Sequence, residues 1–367
     1  MNIDLVSLAN KGIRGLHPYL PGKPVSELER ELGISDIIKL ASNENPAGCS
    51  SLAQQAIQNE LVDITRYPDA NGFYLKEALC EHLSVAMDQI TLGNGSNDVL
   101  DLIARTFAGK DDEVVFSQHA FVVYPIVTQA VEAKAVVVPA LNYGHDLKAM
   151  AEAISDKCRL VFIANPNNPT GICLFHDELL AFIQQVPKNV MVVIDEAYYE
   201  YATDDRYPQT LAWLQEFPNL IITRTFSKAY GLASLRVGYS ISHSDVAGLL
   251  NRVRQPFNVN SFALAAATAA LKDKAFLKQA VDLNQQGMDY LQKELSRLGY
   301  DFIPSLGNFI TVDMDCDAMD IYQKLLQQGV IVRPVANYQM PQHLRVSIGL
   351  MQENQRFIRA LKLVAGR

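Results

Sequence analysis

The stretch Thr225-Phe226-Ser227-Lys228-Ala229-Tyr230-Gly231-Leu232 follows the apolar run Ile221-Ile222-Thr223 and precedes Arg236. A short β-branched run of this kind is typical of a buried strand. Residues directly after such a strand lie at its carboxyl end, where open α/β sheets bind their ligands. The stretch therefore offers hydroxyl groups, an amine and a guanidinium to one candidate site, namely Thr225, Ser227, Lys228 and Arg236.

Two other apolar runs are followed by polar residues in the same way. The run ending at Ala164 leads into Asn165-Pro166-Asn167-Asn168-Pro169-Thr170-Gly171, and Val192-Val193-Ile194 leads into Asp195. Taken alone, the first segment is also compatible with a simple turn, and Asp195 with a capping role. Because the carboxyl ends of parallel strands meet at one edge of a sheet, we expect both segments and Lys228 to lie in one crevice.

The middle of the chain alternates short β-branched runs with longer helical patterns, which is typical of βαβ units around a mostly parallel sheet. After about Pro256 the pattern changes to two long helices, three strands and a closing helix. At 367 residues the chain is long enough for two domains. The expected fold is α/β, with an N-terminal arm (1–35) that joins the small domain, a large domain (36–256) built on a mostly parallel seven-stranded sheet, and a smaller α+β domain (257–367).

Several strands predicted for the large domain are almost wholly apolar, as expected where helices cover both faces of a sheet. The predicted strands are 90–92, 114–116, 135–138, 160–164, 190–194, 220–223 and 237–241. Helices are predicted between them at 98–107, 121–130, 147–154 and 177–185. The small domain is predicted to contain helices at 261–273 and 276–298 and strands at 309–312, 330–332 and 344–348.

The composition indicates an acidic protein of the cytoplasm. The formal net charge is −8 and the pI is about 5.4, so we expect neither a nucleic-acid nor an anionic-membrane partner, because both require a cationic field. The five cysteines form no C-x-x-C pair and the seven histidines show no metal-ligand spacing, so neither a disulfide framework nor a metal is expected. The N-terminus lacks the pattern that is typical of a signal peptide. The most apolar stretch, 262–271, is shorter than the ~18 residues of a membrane span.

Lys228 and Asp195 together suit an enzyme that uses pyridoxal phosphate. A lysine amine can hold this cofactor covalently, an aspartate can keep its pyridine nitrogen protonated, and hydroxyls with an arginine can bind its phosphate. The loop Gly93-Asn94-Gly95-Ser96-Asn97-Asp98 lies between a predicted strand and a predicted helix, so we assign the amides of Ser96 and Asn97 to the same phosphate. The loop matches a dinucleotide-binding fingerprint only in part, because the third glycine is missing.

With these residues in place, the chain resembles the fold-type-I pyridoxal-phosphate-dependent aminotransferases, and within them the histidinol-phosphate aminotransferases. The resemblance covers nearly the whole length and rests on the segments 15–24, 40–46, 66–69, 165–171, 195–198, 227–236 and 344–349. One departure is His119-Ala120-Phe121, where Pro-Thr-Tyr is commoner. This change keeps an aromatic ring but removes its hydroxyl.

The resemblance implies which residues hold the cofactor. Lys228 would be linked to it covalently and Asp195 would pair with the pyridine nitrogen. Asn168 and Tyr198 would form hydrogen bonds with the 3-oxygen of the ring. Phe121 would stack on the ring, although on periodicity alone it is equally a core aromatic. The phosphate would be held by Thr225, Ser227 and Arg236.

The resemblance also implies a dimer and a substrate site. Tyr67 would reach across a dimer interface to the partner's cofactor phosphate, so a homodimer is expected. Arg345 and Arg333 would bind the anionic groups of the substrates, because a planar guanidinium binds carboxylate or phosphate oxygens two at a time. A surface salt bridge is the alternative for Arg333. Tyr19 and Asn43 would help to close the site over the substrate.

The implied reaction is transamination between L-histidinol phosphate and 2-oxoglutarate, which gives imidazole acetol phosphate and L-glutamate in histidine biosynthesis. Lys228 would also be the base that moves the proton. An aromatic amino-acid aminotransferase and a threonine-phosphate decarboxylase share this framework and are the alternatives. A cofactor-binding regulator would usually carry a DNA-binding domain, yet here the substrate arm starts within the first twenty residues. A dinucleotide-dependent oxidoreductase would leave Lys228 and Asp195 without a role.

Overall fold

The computed structural model describes residues 3–18 and 21–366, so Tyr19 lies outside the described residues. None of the helices in this part of the chain is long and apolar enough to cross a membrane. Numbered along the chain, the strands are β1 (Ile38–Lys39), β2 (Ile90–Gly93), β3 (Glu113–Ser117), β4 (Lys134–Val138), β5 (Cys158–Ala164), β6 (Met191–Asp195), β7 (Leu220–Thr225), β8 (Gly238–Ser242), β9 (Phe302–Ile303), β10 (Phe309–Asp313), β11 (Val330–Ile331), β12 (Arg333–Val335) and β13 (Met340–Ser347). The helices are α1 (Lys11–Arg14), α2 (Val25–Leu32), α3 (Ser51–Glu60), α4 (Phe73–Leu83), α5 (Ser96–Phe107), α6 (Val123–Ala130), α7 (Leu147–Glu152), α8 (His176–Gln185), α9 (Ser244–Val253), α10 (Ser261–Lys272), α11 (Lys274–Arg297), α12 (Ala318–Gln327) and α13 (Met351–Ala365).

Seven strands form one large sheet in the order β2-β8-β7-β6-β5-β3-β4. Neighbouring strands are parallel except around β8, which runs antiparallel to both β7 and β2. Every residue of β3 and β7 is buried. Successive strand residues enter two different apolar cores, as Val192 and Val193 do, because the two faces of the sheet are both covered. The predicted α/β fold with a mostly parallel seven-stranded sheet is confirmed.

The ends of several elements differ from the predicted ends where loop geometry sets them. A helix is predicted from residue 98, but α5 begins at Ser96, because Gly95 leaves the loop with φ of +86° and provides the cap. Helix α6 begins at Val123 rather than at 121. Nine elements have no counterpart among those predicted from the sequence: α1, α2, α3, α4, α9, α12, β1, β9 and β12. Strand β1 has only two residues and is defined by its pairing with β11, in which Ile38 lies beside Val330.

The second part of the molecule contains a four-stranded antiparallel sheet in the order β12-β13-β10-β9 and the parallel pair β1–β11. Its core includes Leu291 from α11 and Phe357 from α13. Leu28 from α2 and Leu40 belong to the same core. The N-terminal segment from α2 to β1 is therefore built into this second part.

Helix α10 packs with the large sheet although it follows residue 256. Its residues Ala263 and Ala267 belong to the first core, and the helix lies against α3 and α4. Helix α11, in contrast, contributes Met288 and Leu291 to the second core. The packing thus changes from one core to the other along α11, while the domain boundary at residue 257 stays a prediction.

Candidate active site

A cavity of about 280 Å³ lies at the carboxyl ends of β5, β6 and β7, where they face β12 and β13. This is the edge at which parallel α/β sheets place their ligands. Of the predicted site residues that the structure describes, Tyr67 alone lies elsewhere. The others line the cavity: Asn43, Ser96, Asn97, Phe121, Asn168, Asp195, Tyr198, Thr225, Ser227, Lys228, Arg236, Arg333 and Arg345.

Lys228 projects into this cavity from the loop after β7. Its Nζ lies 3.4 Å from the carbonyl oxygen of Ser42 and 5.7 Å from the centre of the Tyr198 ring. Burial lowers the pKa of the amine to about 8, and the positive charge of Arg345 acts in the same direction. The uncharged form that a nucleophile or a base requires is therefore far more accessible near neutral pH than it is for an ordinary lysine.

Asp195, the last residue of β6, is almost completely buried and accepts two side-chain hydrogen bonds. The Tyr124 hydroxyl donates to Oδ2 over 2.9 Å, and the Thr223 hydroxyl donates to Oδ1 over 3.0 Å. Burial raises the pKa of this carboxyl to about 6, and the two hydrogen bonds oppose that rise. The group is mostly a carboxylate at pH 7, which is what a protonated ring nitrogen needs as a partner.

Tyr124 and Thr223 are not among the site residues predicted from the sequence. Thr223 is the register partner of Asp195 in the parallel pair β6–β7. Tyr124 follows Phe121 by three residues, and the two rings pack edge to face at 6.0 Å. Thr223 could have been found from the sequence, because it ends the predicted strand 220–223. Neighbouring parallel strands bring the side chains at their carboxyl ends to the same edge of the sheet.

The end of the cavity near α5 is crowded with hydrogen-bond donors. A Cβ atom on Gly95 would lie 2.4 Å from Nη2 of Arg236, and one on Gly238 would lie 2.4 Å from the amide nitrogen of Ser96. Only glycine lets the guanidinium and the start of the helix approach this closely. Arg236 also donates to the Ser227 hydroxyl over 3.4 Å. Helix N-terminus, guanidinium and hydroxyl together form an anion site.

Arg345 lies on the opposite side of the cavity, on β13. Its Nη1 donates to Oδ1 of Asn168 over 2.6 Å, and its Nη2 donates to the carbonyl oxygen of Ala41 over 2.7 Å. Arg333 is its register partner on β12, so both guanidinium groups belong to one hairpin. Asn43 is buried with φ of +53° and donates from Nδ2 to the Tyr198 hydroxyl over 3.0 Å.

Tyr67 lies outside this cavity on the surface of the chain. Its side chain is 82% exposed, and its ring stacks on Phe257 with 4.7 Å between ring centres. Val62 and Tyr74, which are near it in the sequence, are also strongly exposed. Within a single chain, Tyr67 therefore does not contribute to the cavity.

The residues of the cavity fit the pyridoxal phosphate that the sequence predicts. Asp195 offers a buried carboxylate to a ring nitrogen, and Lys228 offers a partly uncharged amine to an aldehyde. The anion site beside Arg236 suits a phosphate dianion, and Gly95 and Gly238 keep it free of side-chain atoms. The donors and acceptors thus match the ring nitrogen, the aldehyde and the phosphate of this cofactor.

Known proteins are similar to this chain over nearly its whole length. The family described as Aminotransferase class I and II matches residues 35–361. The chain is 56% identical over 363 residues to "Histidinol-phosphate aminotransferase 1" of Idiomarina loihiensis, covering 99% of both chains. It is 58% identical over 369 residues to "Histidinol-phosphate aminotransferase 2" of Pseudomonas fluorescens, covering 100% of both.

Solved structures agree with this similarity. The histidinol-phosphate aminotransferase from Sinorhizobium meliloti, in complex with pyridoxal-5'-phosphate, superposes with a TM-score of 0.91 at 29% identity and covers 98% of each chain. The aspartate aminotransferase from Thermus thermophilus with maleate has a TM-score of 0.84 at 20% identity, covering 98% of this chain and 99% of that chain. The second likeness concerns the fold alone.

Proposed function

The chain belongs to the aminotransferase class I and II family, and we propose that it transfers the amino group of L-histidinol phosphate to 2-oxoglutarate, giving imidazole acetol phosphate and L-glutamate. It is a pyridoxal-phosphate-dependent enzyme. The observation that carries the substrate assignment is the match of more than half of all residues to histidinol-phosphate aminotransferases along the entire chain. A cavity that contains both Lys228 and Arg345 supports it.

The cofactor is expected to lie between the two ends of the cavity. Pyridoxal phosphate, when bound, supplies an aldehyde carbon that carries the amino group and a ring that accepts an electron pair from the substrate. Asp195 would keep the ring nitrogen protonated, and Asn168 with Tyr198 would bind the 3-oxygen. Phe121 would lie against the ring face. The phosphate would be held by Ser96, Asn97, Thr225, Ser227 and Arg236.

Lys228 would carry the proton in both halves of the reaction. Its Nζ would take the proton from the amine-bearing carbon of the amino donor and return one to the keto carbon of the acceptor. The pKa of about 8 places the amine close to the operating pH, where a group can serve as base and then as acid. A single tethered amine also removes the entropic cost of bringing a base to the carbon.

The two arginines of the hairpin would bind the anionic groups of both substrates. L-Histidinol phosphate presents a phosphate dianion, and 2-oxoglutarate presents carboxylates, which a guanidinium binds with two parallel hydrogen bonds. Arg345 already uses both of its terminal nitrogens in hydrogen bonds to oxygen atoms. Arg333 and Asn43 line the same cavity. Tyr19 stays a prediction outside the described residues.

A homodimer with Tyr67 in the partner's site explains why this tyrosine lies outside its own cavity. The exposed apolar side chains near Tyr67, among them Val62 and Tyr74, suit a protein interface. Mixing Tyr67→Ala with Lys228→Ala chains tests this, because a mixed dimer would contain one intact site. We expect each parent variant to be nearly inactive and the mixture to recover about a quarter of the wild-type activity. No recovery in mixed dimers would show that Tyr67 does not serve the partner's site.

The substrate assignment is tested by steady-state kinetics with purified holoenzyme and 2-oxoglutarate. We expect kcat/KM for L-histidinol phosphate to exceed that for L-tyrosine, L-phenylalanine and L-histidinol by at least about a hundredfold, because only the first carries the phosphate. In the Arg345→Lys variant this preference should shrink, since a lysine cannot form two parallel hydrogen bonds. Preference for an aromatic amino acid, or release of carbon dioxide from O-phospho-L-threonine, would contradict the assignment.

A further inference from the structure

The hairpin formed by β12 and β13 carries both arginines that face the cavity. Arg333 and Arg345 are register partners in this antiparallel pair. The strands are joined by a tight turn, Ala336–Tyr338, followed by Gln339 with φ of +62°. Because both arginines lie on the strands that this turn joins, we expect a displacement of the turn to be transmitted to the guanidinium groups.

Two polar side chains that follow β3 of the large sheet form hydrogen bonds with this turn. The carbonyl oxygen of Tyr338 can only accept, so Nδ1 of His119 donates to it over 2.7 Å. Nε2 of Gln118 donates to Oε1 of Gln339 over 2.6 Å. Both contacts connect the sheet that carries Lys228 to the hairpin that carries the arginines.

Gln118 and His119 are themselves held firmly on the large-sheet side. Oε1 of Gln118 accepts from the amide of Ala140 over 3.2 Å. The carbonyl oxygen of His119 accepts from Nδ2 of Asn167 over 3.0 Å, next to Asn168 in the cavity. These hydrogen bonds hold Gln118 and His119 in place on the large sheet, so both residues can set the position of the turn.

The surroundings of the bond from His119 exclude water, whereas the bond between Gln118 and Gln339 lies at the surface. His119 and Tyr338 are buried, and Tyr338 packs in a cluster with Val335 and Met340. Val122, from the large-sheet side, packs against that cluster. A buried carbonyl that loses its donor cannot recover the bond from solvent without opening the packing. The bond from His119 thus favours one position of the turn over the others that apolar contact alone would permit.

We propose that Gln118 and His119 are positioning residues that set the distance between the two hairpin arginines and Lys228, and so determine the affinity for the anionic group of either substrate. The inference rests on the proposed function insofar as Arg333 and Arg345 bind those groups. Neither side chain touches the substrate or the cofactor in this role. Replacing either side chain should therefore weaken binding of the anionic groups of the substrates and leave the affinity for the cofactor unchanged.

Replacement of His119 by leucine and by asparagine provides a matched pair. Leucine removes the donor, whereas the amide nitrogen of asparagine can occupy about the place of Nδ1. In His119→Leu holoenzyme we expect KM for L-histidinol phosphate and for 2-oxoglutarate to rise about threefold to tenfold, with kcat and the dissociation constant of pyridoxal phosphate within about twofold of wild type. His119→Asn should recover most of the affinity. Gln118→Leu should raise both KM values without altering cofactor binding.

Two further measurements separate positioning from a general loss of stability. L-Histidinol, which lacks the phosphate, should react with wild type and His119→Leu at equal rates in a single half-reaction. Maleate, an unreactive dicarboxylate, should bind His119→Leu holoenzyme about threefold to tenfold more weakly, followed by the absorption band of the bound cofactor. An equal penalty with L-histidinol, unchanged maleate affinity, or a parallel loss of cofactor affinity would overturn the proposal. The maleate result does not depend on which amine is the donor, so a failure to use L-histidinol phosphate would reject the proposed function alone.

Discussion

Tyr124 donates its hydroxyl hydrogen to Oδ2 of Asp195 over 2.9 Å, from a ring that is completely buried. The ring stacks on Phe162 with 4.6 Å between centres and an interplanar angle of 5°, so the hydroxyl has little freedom to move. The proposed pairing of Asp195 with the ring nitrogen of the cofactor requires a carboxylate, yet burial favours the protonated form. The Tyr124 hydroxyl therefore helps to keep the carboxylate ionised at neutral pH.

Replacing Tyr124 with phenylalanine should raise the pKa of Asp195 further, because the charged form loses a hydrogen bond. The acidic limb of the profile of kcat/KM against pH should move to higher pH. We expect a loss of about tenfold near pH 6.5 that becomes smaller near pH 8.5. Tyr290→Phe is the control, since Tyr290 packs against the second core. A uniform loss at all pH values would show that the hydroxyl acts on something other than this ionisation.

Asp195 should reduce the stability of the protein when no cofactor is bound. Its pKa rises from 3.8 to about 6 on folding, so its protonation stabilises the folded chain fully below pH 4, and this contribution is lost as the pH rises through 6. A shift of this size corresponds to about 3 kcal/mol. We expect the cofactor-free Asp195→Asn variant to melt at a higher temperature than wild type at pH 8 and at a similar temperature at pH 4.

The control for this experiment is Asp245→Asn, whose side chain is 90% exposed. It should change the melting temperature little at either pH. A lower melting temperature of Asp195→Asn than of wild type at pH 8 would mean that the hydrogen bonds from Tyr124 and Thr223 outweigh the cost of burying the charge.

Glu196, directly after β6, forms a buried ion pair with Arg224 on β7, and neither residue lines the cavity. Nε of Arg224 donates to Oε2 of Glu196 over 2.8 Å, and Nη2 lies 2.8 Å from the same oxygen. The Thr210 hydroxyl donates to Oε1 over 2.7 Å. Glu196→Gln would remove the carboxylate that contacts the guanidinium directly. We expect the free energy of unfolding, measured with urea, to fall by about 3–5 kcal/mol. The double replacement Glu196→Met with Arg224→Met should recover most of that loss.

An exposed pair provides the comparison for this prediction. Lys278 and Asp282 lie one turn apart on α11 with exposed side chains. Asp282→Asn should change the free energy of unfolding by less than about 1 kcal/mol, because solvent screens such pairs. Equal effects at Glu196 and Asp282 would contradict the view that burial makes the first pair important.

Gly95→Ala should weaken cofactor binding because the new methyl group would meet the Arg236 guanidinium at 2.4 Å. We expect the dissociation constant of pyridoxal phosphate to rise at least about tenfold, since the arginine must move away from the anion site. Gly48→Ala is a matched control. Gly48 also has positive φ, +79°, but a Cβ there would meet no atom within 4 Å. Similar cofactor affinities of the two variants would show that backbone strain, and not the contact with Arg236, is responsible.

Much of the fold was predictable because its signals are local. The strands of the large sheet appear as apolar runs in the sequence, and the residues after them belong to one edge as soon as the sheet is parallel. The sequence alone therefore predicts that Lys228, Asp195 and Asn168 lie close together. Their proposed roles came from residue types and the resemblance, which the full-length similarity to histidinol-phosphate aminotransferases supports.

The sequence by itself determined the seven strands of the large sheet, the helices α5 to α8 between them, and which strand ends carry polar groups, because hydrophobic periodicity and side-chain chemistry are properties of short segments. Only the tertiary structure decided that Tyr124 meets Asp195, which is 71 positions away, and that His119 meets the turn 219 positions away. It also decided that α10 joins the first core. Such contacts depend on how elements pack in three dimensions, and no local pattern encodes the relative position of two surfaces that meet only after folding.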